Sequence, residues 1–321
     1  MENAFRLEEA EQHIALLTFD QPGAKVNVLS RRVFEELAGV LAALQKRSDL
    51  RGLLLRSGKP GQFVAGADLN ELADLSRLSR KEVAAFASRG QEVFDQISQL
   101  PYPTVALIDG PCLGGGAEYA LAADYRIASD NPRTRIGLPE VGFGIIPGWG
   151  GTQRLPRLIG VSAAIEMICS GEPIPSSQAM KLGLVSEMSP ADRLVEAGCR
   201  LIDHIQQTGE WQEERRRWRG PVSLSGEQLR AICATTESDL KRKTKGHNPG
   251  PLAALRVIQQ SCTLPLEEGL EIELAASLEL MGTPISTNLI AVFLMKQQLV
   301  REPGVADSSV SPRQVKKVGV L

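Results

Sequence analysis

Strand-like runs, glycine-bearing loops and helical runs alternate through the first half of this chain. That order restricts it to an α/β layered fold. Residues 14–19 (IALLTF) read as a strand closed by Gln21-Pro22-Gly23. Residues 32–43 read as a helix: Ser30 stands at a cap position, and Val33, Phe34, Leu37, Val40, Leu41 and Leu44 recur at helical spacing. Residues 52–56 form a second expected strand, which enters a glycine-rich stretch at 58–66. A long helix over 81–100 is stopped by Pro101 and Pro103, and a buried strand over 104–108 meets Gly110. A helix over 115–123 and a short strand over 125–128 follow.

Beyond about Pro190 the strand-like runs vanish and helical spacing dominates. Leu266, Leu270, Leu274, Leu278 and Met281 recur every three or four residues and are expected to form one packing stripe. Residues 302–312 carry the Pro and Ser of a linker, and 315–321 (VKKVGVL) resemble the opening of a new strand.

Composition narrows the function classes. The 321 residues suffice for one large domain plus an appendage, and 43% are apolar. The net charge of −2, from 36 basic and 38 acidic residues, lacks the clustered basic excess that nucleic acid demands. The runs Arg215-Arg216-Arg217 and Lys241-Arg242-Lys243 are expected to be solvated helix faces. Five cysteines form no CxxC pair, which fits a reducing compartment. Three histidines show no HExxH spacing, so no metal site is expected. The first twelve residues resemble no signal or transit peptide, and no run reaches the length of a membrane span. A cytoplasmic enzyme is the expectation.

Three glycine-bearing segments carry the candidate chemistry: QFVAGADL, DGPCLGGGAE and LPEVGFGIIPGWGGTQRL. In the second, a strand ends at Ile108 and Gly114-Gly115-Gly116 opens a helix. Bare glycines let a ligand approach the backbone, and the first amides of a helix lack internal partners. Such a site suits an anion, or an oxygen that becomes one during reaction, although tight packing alone would also explain the glycines. Glu118 lies in the first turn of that helix, and residues 117–123 offer it no Lys or Arg. It is either a helix-start carboxylate or a buried acid–base group with a raised pKa. Glu140, between Pro139 and Val141-Gly142-Phe143, carries the same two readings, 22 residues further on. In AGADL, Asp68 can cap a following helix, and the amides of Ala67 and Gly115 would form a two-donor oxyanion hole if they converge.

Together these three segments resemble the enoyl-CoA hydratase/isomerase, or crotonase, family over residues 10–190. The resemblance implies a crotonase-type spiral of ββα turns followed by a helical C-terminal region. It implies Glu118 and Glu140 as the acid–base pair, Ala67 and Gly115 as the oxyanion hole, and Asp124 in support. Coenzyme A, part of an acyl-CoA thioester substrate, would lie along Lys25, Val26, Ala65, Gly66 and Asp68. Lys25 and Lys59 are either phosphate contacts or ordinary surface lysines. No cofactor is implied for hydration. Gln153 and Arg154 are expected to stabilise their loop, and Trp149 stands where small residues are common.

The second half resembles the linker helices of multifunctional β-oxidation proteins of the trifunctional α-subunit type. The division expected is a hydratase/isomerase core over 1–190, a helical region with linker helices over 191–307, and, over 308–321, a linker and the first strand of a truncated dinucleotide-binding domain. NAD would then belong to an absent 3-hydroxyacyl-CoA dehydrogenase region. A homo-oligomer or a thiolase subunit is the partner this resemblance implies. The competing readings are the same fold with dedicated isomerase or other acyl-CoA chemistry, and a non-catalytic docking module.

Overall fold

The computed structural model describes residues 3–11 and 13–301. In chain order the elements are β1 (Phe5–Glu11), β2 (Ile14–Phe19), α1 (Arg31–Leu44), β3 (Gly52–Ser57), α2 (Leu69–Asp74), α3 (Arg80–Ser98) and β4 (Thr104–Ile108). Next come β5 (Pro111–Leu113), α4 (Gly115–Ala122), β6 (Tyr125–Ser129), β7 (Arg135–Gly137), α5 (Gly151–Ile159), α6 (Val161–Ser170), β8 (Ile174–Pro175), α7 (Ser176–Lys181) and β9 (Glu187–Ser189). Six helices follow: α8 (Leu194–Thr208), α9 (Glu210–Arg219), α10 (Gly226–Thr244), α11 (Gly250–Ser261), α12 (Leu266–Leu280) and α13 (Pro284–Arg301). The linker and opening strand expected over 302–321 lie outside the described residues.

One sheet runs β1-β2-β3-β4-β6-β9, with β1 antiparallel and the others parallel. A second joins β5, β7 and β8. The central strands are buried on both faces, and their side chains alternate between two cores. Ile14, Leu16, Leu54, Val105, Leu107 and Ile127 pack on Ile202 and Ile205 of α8. Ala15, Leu17, Leu53, Leu55, Ala106 and Ile108 face the main core, with α1 and α3. The Ser30 hydroxyl caps α1 by accepting from the Val33 amide, and Ser79 and Glu82 form a reciprocal capping box on α3. No single helix among the described residues is long and apolar enough to cross a membrane.

Three expectations need correction. The first strand, β1, was not expected: only Phe5 of its seven residues is buried, so it lacks the alternating apolar signature. The leucine stripe of α12 is only part of the helix's packed face. Leu266 and Leu270 are buried and Leu278 and Met281 pack half-buried against the core, but Leu274 does not join them, and Glu273 and Ser277 are fully buried on the same helix. The run Arg215-Arg216-Arg217 is not uniformly solvated either. Arg215 turns inward to form an ion pair with Asp124 at 2.5 Å and stacks over Trp211.

Candidate active site

The AGADL segment and the start of α4 are held edge to edge by backbone bonds. A parallel bridge joins Val64 to Cys112, and a second joins Leu29 to Ala67. In the second, Leu29 donates to Gly66 O and accepts from the Asp68 amide. Extended backbone alternates its hydrogen-bonding direction, so the intervening Ala67 N–H points away from Leu29. Ala67 and Gly115 line the same cavity, of about 870 Å³. A Cβ on Gly66 would sit 3.8 Å from the Gly115 nitrogen, and one on Gly116 would strike Val64 O at 2.1 Å. Glycine at 116 therefore sets how closely helix and loop approach. Gly115 opens α4, where the amide has no intrahelical acceptor.

The two glutamates share this cavity. Glu118, 1% exposed, projects from the first turn of α4. Its Oε1 accepts from the amides of Trp149 at 2.7 Å and Gly151 at 2.9 Å. Glu140 sits in a 3-10 turn, Pro139–Phe143, half-buried against the bare Gly114. Its Oε2 is buried with no hydrogen-bond partner among the described residues. Burial, then the charges of Glu140 and Glu273, push Glu118 well above the usual carboxylate range, against the pull of its two amides. Burial also pushes Glu140 up to about 8, with Glu273 adding to the rise. Like charge on neighbouring carboxyls raises their proton affinity, and two such groups titrate together as a pair.

The remaining expected positions separate. Val26, Ala65, Gly66 and Asp68 line the cavity, and Asp68 caps α2 by accepting from the Asn70 amide. Lys25 is exposed and outside the lining. Lys59 is held by Asp20 at 2.6 Å and donates to Gln21 O. Asp124 lies at the far end of α4, away from the carboxyl pair, and accepts from the Thr104 amide and hydroxyl and from Arg215. That is a scaffold contact between sheet and helical region. Gln153 bonds Thr152 and Ser261, and Arg154 bonds Trp149 O. Trp149 fills the inner wall, its indole edge-on to Phe34, Phe86 and Phe94.

The helical region adds residues that the sequence did not assign to the site. Met281, expected only as part of a packing stripe, closes one side of the cavity with Phe293 and Leu294. Glu273 of α12 is fully buried beside the carboxyl pair. Its sequence setting, LEEGLEIEL, gives no sign of this, since neighbouring glutamates on a helix ordinarily face solvent.

Two carboxyls of raised proton affinity on one cavity with the backbone of Ala67 and Gly115, on an α/β frame, make a site suited to polarising a carbonyl and moving a proton beside it. The enoyl-CoA hydratase/isomerase family profile matches residues 9–213, and the chain belongs to that family. It is 38% identical over 320 residues to the fatty acid oxidation complex subunit alpha of Vibrio parahaemolyticus, an alignment covering all of this chain and 44% of that relative. The chain thus spans less than half the length of such relatives. Among solved structures, an enoyl-CoA hydratase from Bacillus anthracis is 28% identical with a TM-score of 0.58, covering 92% of this chain and 97% of that one. The human mitochondrial delta3-delta2-enoyl-CoA isomerase superposes with a TM-score of 0.67 at 24% identity over 94% of this chain and all of that one, a likeness of fold.

Proposed function

We propose that these residues catalyse hydration of a 2-enoyl-CoA to a 3-hydroxyacyl-CoA in fatty-acid β-oxidation, with Glu118 and Glu140 as the acid–base pair. The observation that carries this reading is the pair itself: a buried and a half-buried carboxyl, both of raised proton affinity, on one cavity with Ala67 and Gly115. The thioester oxygen accepts from the Ala67 and Gly115 amides, which polarises the enone toward C3. One water lies between the carboxyls. Its oxygen bonds to C3 as its proton passes to Glu118, and Glu140 gives its own proton to C2. One water is consumed, and the pair ends with its single proton on the other partner. The enolate-like charge rests on the two amides, so the step uses no cofactor, and coenzyme A is part of the substrate.

The same pair supports isomerisation of a 3-enoyl to a 2-enoyl thioester, in which one base carries a proton between C2 and C4. Val26, Ala65, Gly66 and Asp68, which line the cavity, would meet the coenzyme A portion, and the exposed Lys25 next to Val26 in sequence would meet its phosphates. Asp124 acts on the site only through the scaffold. The division into a core over 1–190 and a helical region over 191–307 is one of sequence character, since α12 and α13 help enclose the site. NAD and 3-hydroxyacyl-CoA oxidation would belong to a polypeptide as long as the relatives. A thiolase subunit or a second copy remains the partner this reading names, and five buried free cysteines suit the cytoplasm. The test is incubation of the purified chain with crotonyl-CoA and a longer 2-enoyl-CoA. Loss of the enone absorbance with formation of the 3-hydroxyacyl-CoA is expected, and an unchanged spectrum would refute the reading.

A further inference from the structure

Consecutive amides of one turn are shared between two buried carboxylates. The amides of Trp149 and Gly151 donate to Glu118, while those of Gly150 (2.6 Å) and Thr152 (2.9 Å) donate to Glu273. Gly150, at φ 104°, gives the turn the left-handed step that splits the donors between two sides. Glu273 also accepts from the Thr152 hydroxyl at 2.5 Å and from Gln91 Nε2 at 3.1 Å. Three N–H donors and the Thr152 hydroxyl place two partners on each oxygen, a set that favours the ionised carboxylate and opposes the burial that raises its proton affinity. The Thr152 hydroxyl is held in place from its other side by Gln153 Nε2, which donates to it.

We infer that Glu273 is a positioning residue for the acid–base pair, clamping the 149–152 turn so that two amides fix Glu118 and keeping a negative charge beside the pair. This rests on the hydratase reading above. A helix far along the chain thereby completes the site: α12 supplies the anchor, and Gly269, one turn earlier, lets α12 approach, since a Cβ there would meet Gln153 Oε1 at 2.2 Å. The other charged groups near Glu273 are Glu118, Glu140, Arg154 and Arg157, with Asp95 and Arg219 behind them. Arg154 offers little compensation, as it is engaged by Trp149 O and faces Asp95 at 3.7 Å. The like charge of Glu273 raises the proton affinity of both members of the pair. Removing it lowers the pH at which the pair gives up its last proton.

Glu273→Gln keeps the shape but sets an N–H₂ against donors. The expected result is a basic limb of kcat/KM displaced downward by at least about half a pH unit. Turnover should fall about tenfold or more, consistent with a misplaced acid–base group. Affinity for butyryl-CoA, a saturated analogue, should stay within about threefold, because the hole is untouched. Infrared titration of the carboxyl band in the unliganded protein should show the same displacement, and it reads the pair even if crotonyl-CoA proves not to be a substrate. Should Glu273→Gln fail to fold, Thr152→Val is expected to shift the band in the same direction by less, and Thr152→Ser to restore it. A folded Glu273→Gln, or failing that Thr152→Val, with native limbs and native carboxyl titration would overturn the inference. Wild-type inactivity with a displaced band would instead fault the choice of substrate reaction.

Discussion

Adding one methyl group at Gly115 should damage both stability and turnover, because the site's inner wall has no slack. A Cβ on Gly115 would lie 2.4 Å from Trp149 Cζ3, 2.8 Å from Cε3 and 3.0 Å from Leu29 Cδ1. Carbon atoms pack at roughly 3.5–4.0 Å, so the indole must retreat by about 1 Å. Its retreat is blocked by Phe34, Phe86 and Phe94, with ring centroids at 4.8, 5.6 and 6.0 Å. Gly90 already gives up its side chain to the indole, since a Cβ there would meet Trp149 Nε1 at 2.3 Å. Overpacking of this kind costs about 1–3 kcal/mol. The strain also reaches the chemistry, because the backbone amide of Trp149 holds Glu118. A displacement near 1 Å in such a group costs about a hundredfold in rate. Gly115→Ala is therefore expected to lower the free energy of unfolding by that amount, measured by urea denaturation, and to lower kcat for crotonyl-CoA about a hundredfold. Trp149→Phe removes the clashing part of the ring, so the double variant should recover at least about 0.5 kcal/mol relative to additivity. Native stability and kcat in Gly115→Ala, or strict additivity with Trp149→Phe, would refute this account of the wall.

Arg215→Ala removes one partner of a buried ion pair and should destabilise the fold by about 3 kcal/mol, while the folded variant keeps near-native kcat, as a scaffold role for Asp124 requires; a kcat loss at full stability would place Asp124 in the chemistry. Glu118, Glu140 and Glu273 all bind protons more tightly in the folded state, so their contribution makes stability fall as pH rises from the ordinary carboxylate value of 4.5 through their folded values. Urea midpoints should show Glu140→Gln gaining on the wild type between about pH 6 and pH 8, and a constant difference would contradict the raised proton affinity. Isomerisation of a 3-enoyl-CoA should depend more on Glu140 than on Glu118, and equal losses in the two variants would oppose that division.

Local signals carried much of the frame. Ser30 marked the start of α1, Pro101 and Pro103 the end of α3, and the apolar run at 104–108 a central strand. These depend on neighbours in sequence, which a single chain displays. The glycines of 114–116 pointed to the right turn, although the reason for two of them lies elsewhere: Val64 O excludes a side chain at 116 and Trp149 excludes one at 115. The parts that stayed hidden are long-range pairings of polar groups. Asp124 meets Arg215 from 91 residues away, and Glu273 meets the amides of Gly150 and Thr152 from 123 and 121 residues away. A charge is legible as buried only through its partner, and neither partner is near it in sequence. Strand β1 was hidden for the opposite reason, being an edge strand whose side chains mostly face solvent.

The central claim is that two carboxyls act together on one water. Steady-state hydration of crotonyl-CoA by the wild type, Glu118→Gln and Glu140→Gln, read as loss of enone absorbance, tests it most directly. Each variant should lose at least about a hundredfold in kcat, the scale of general acid–base contributions, while binding of butyryl-CoA changes little. Near-native turnover in either folded variant would contradict the two-carboxylate mechanism.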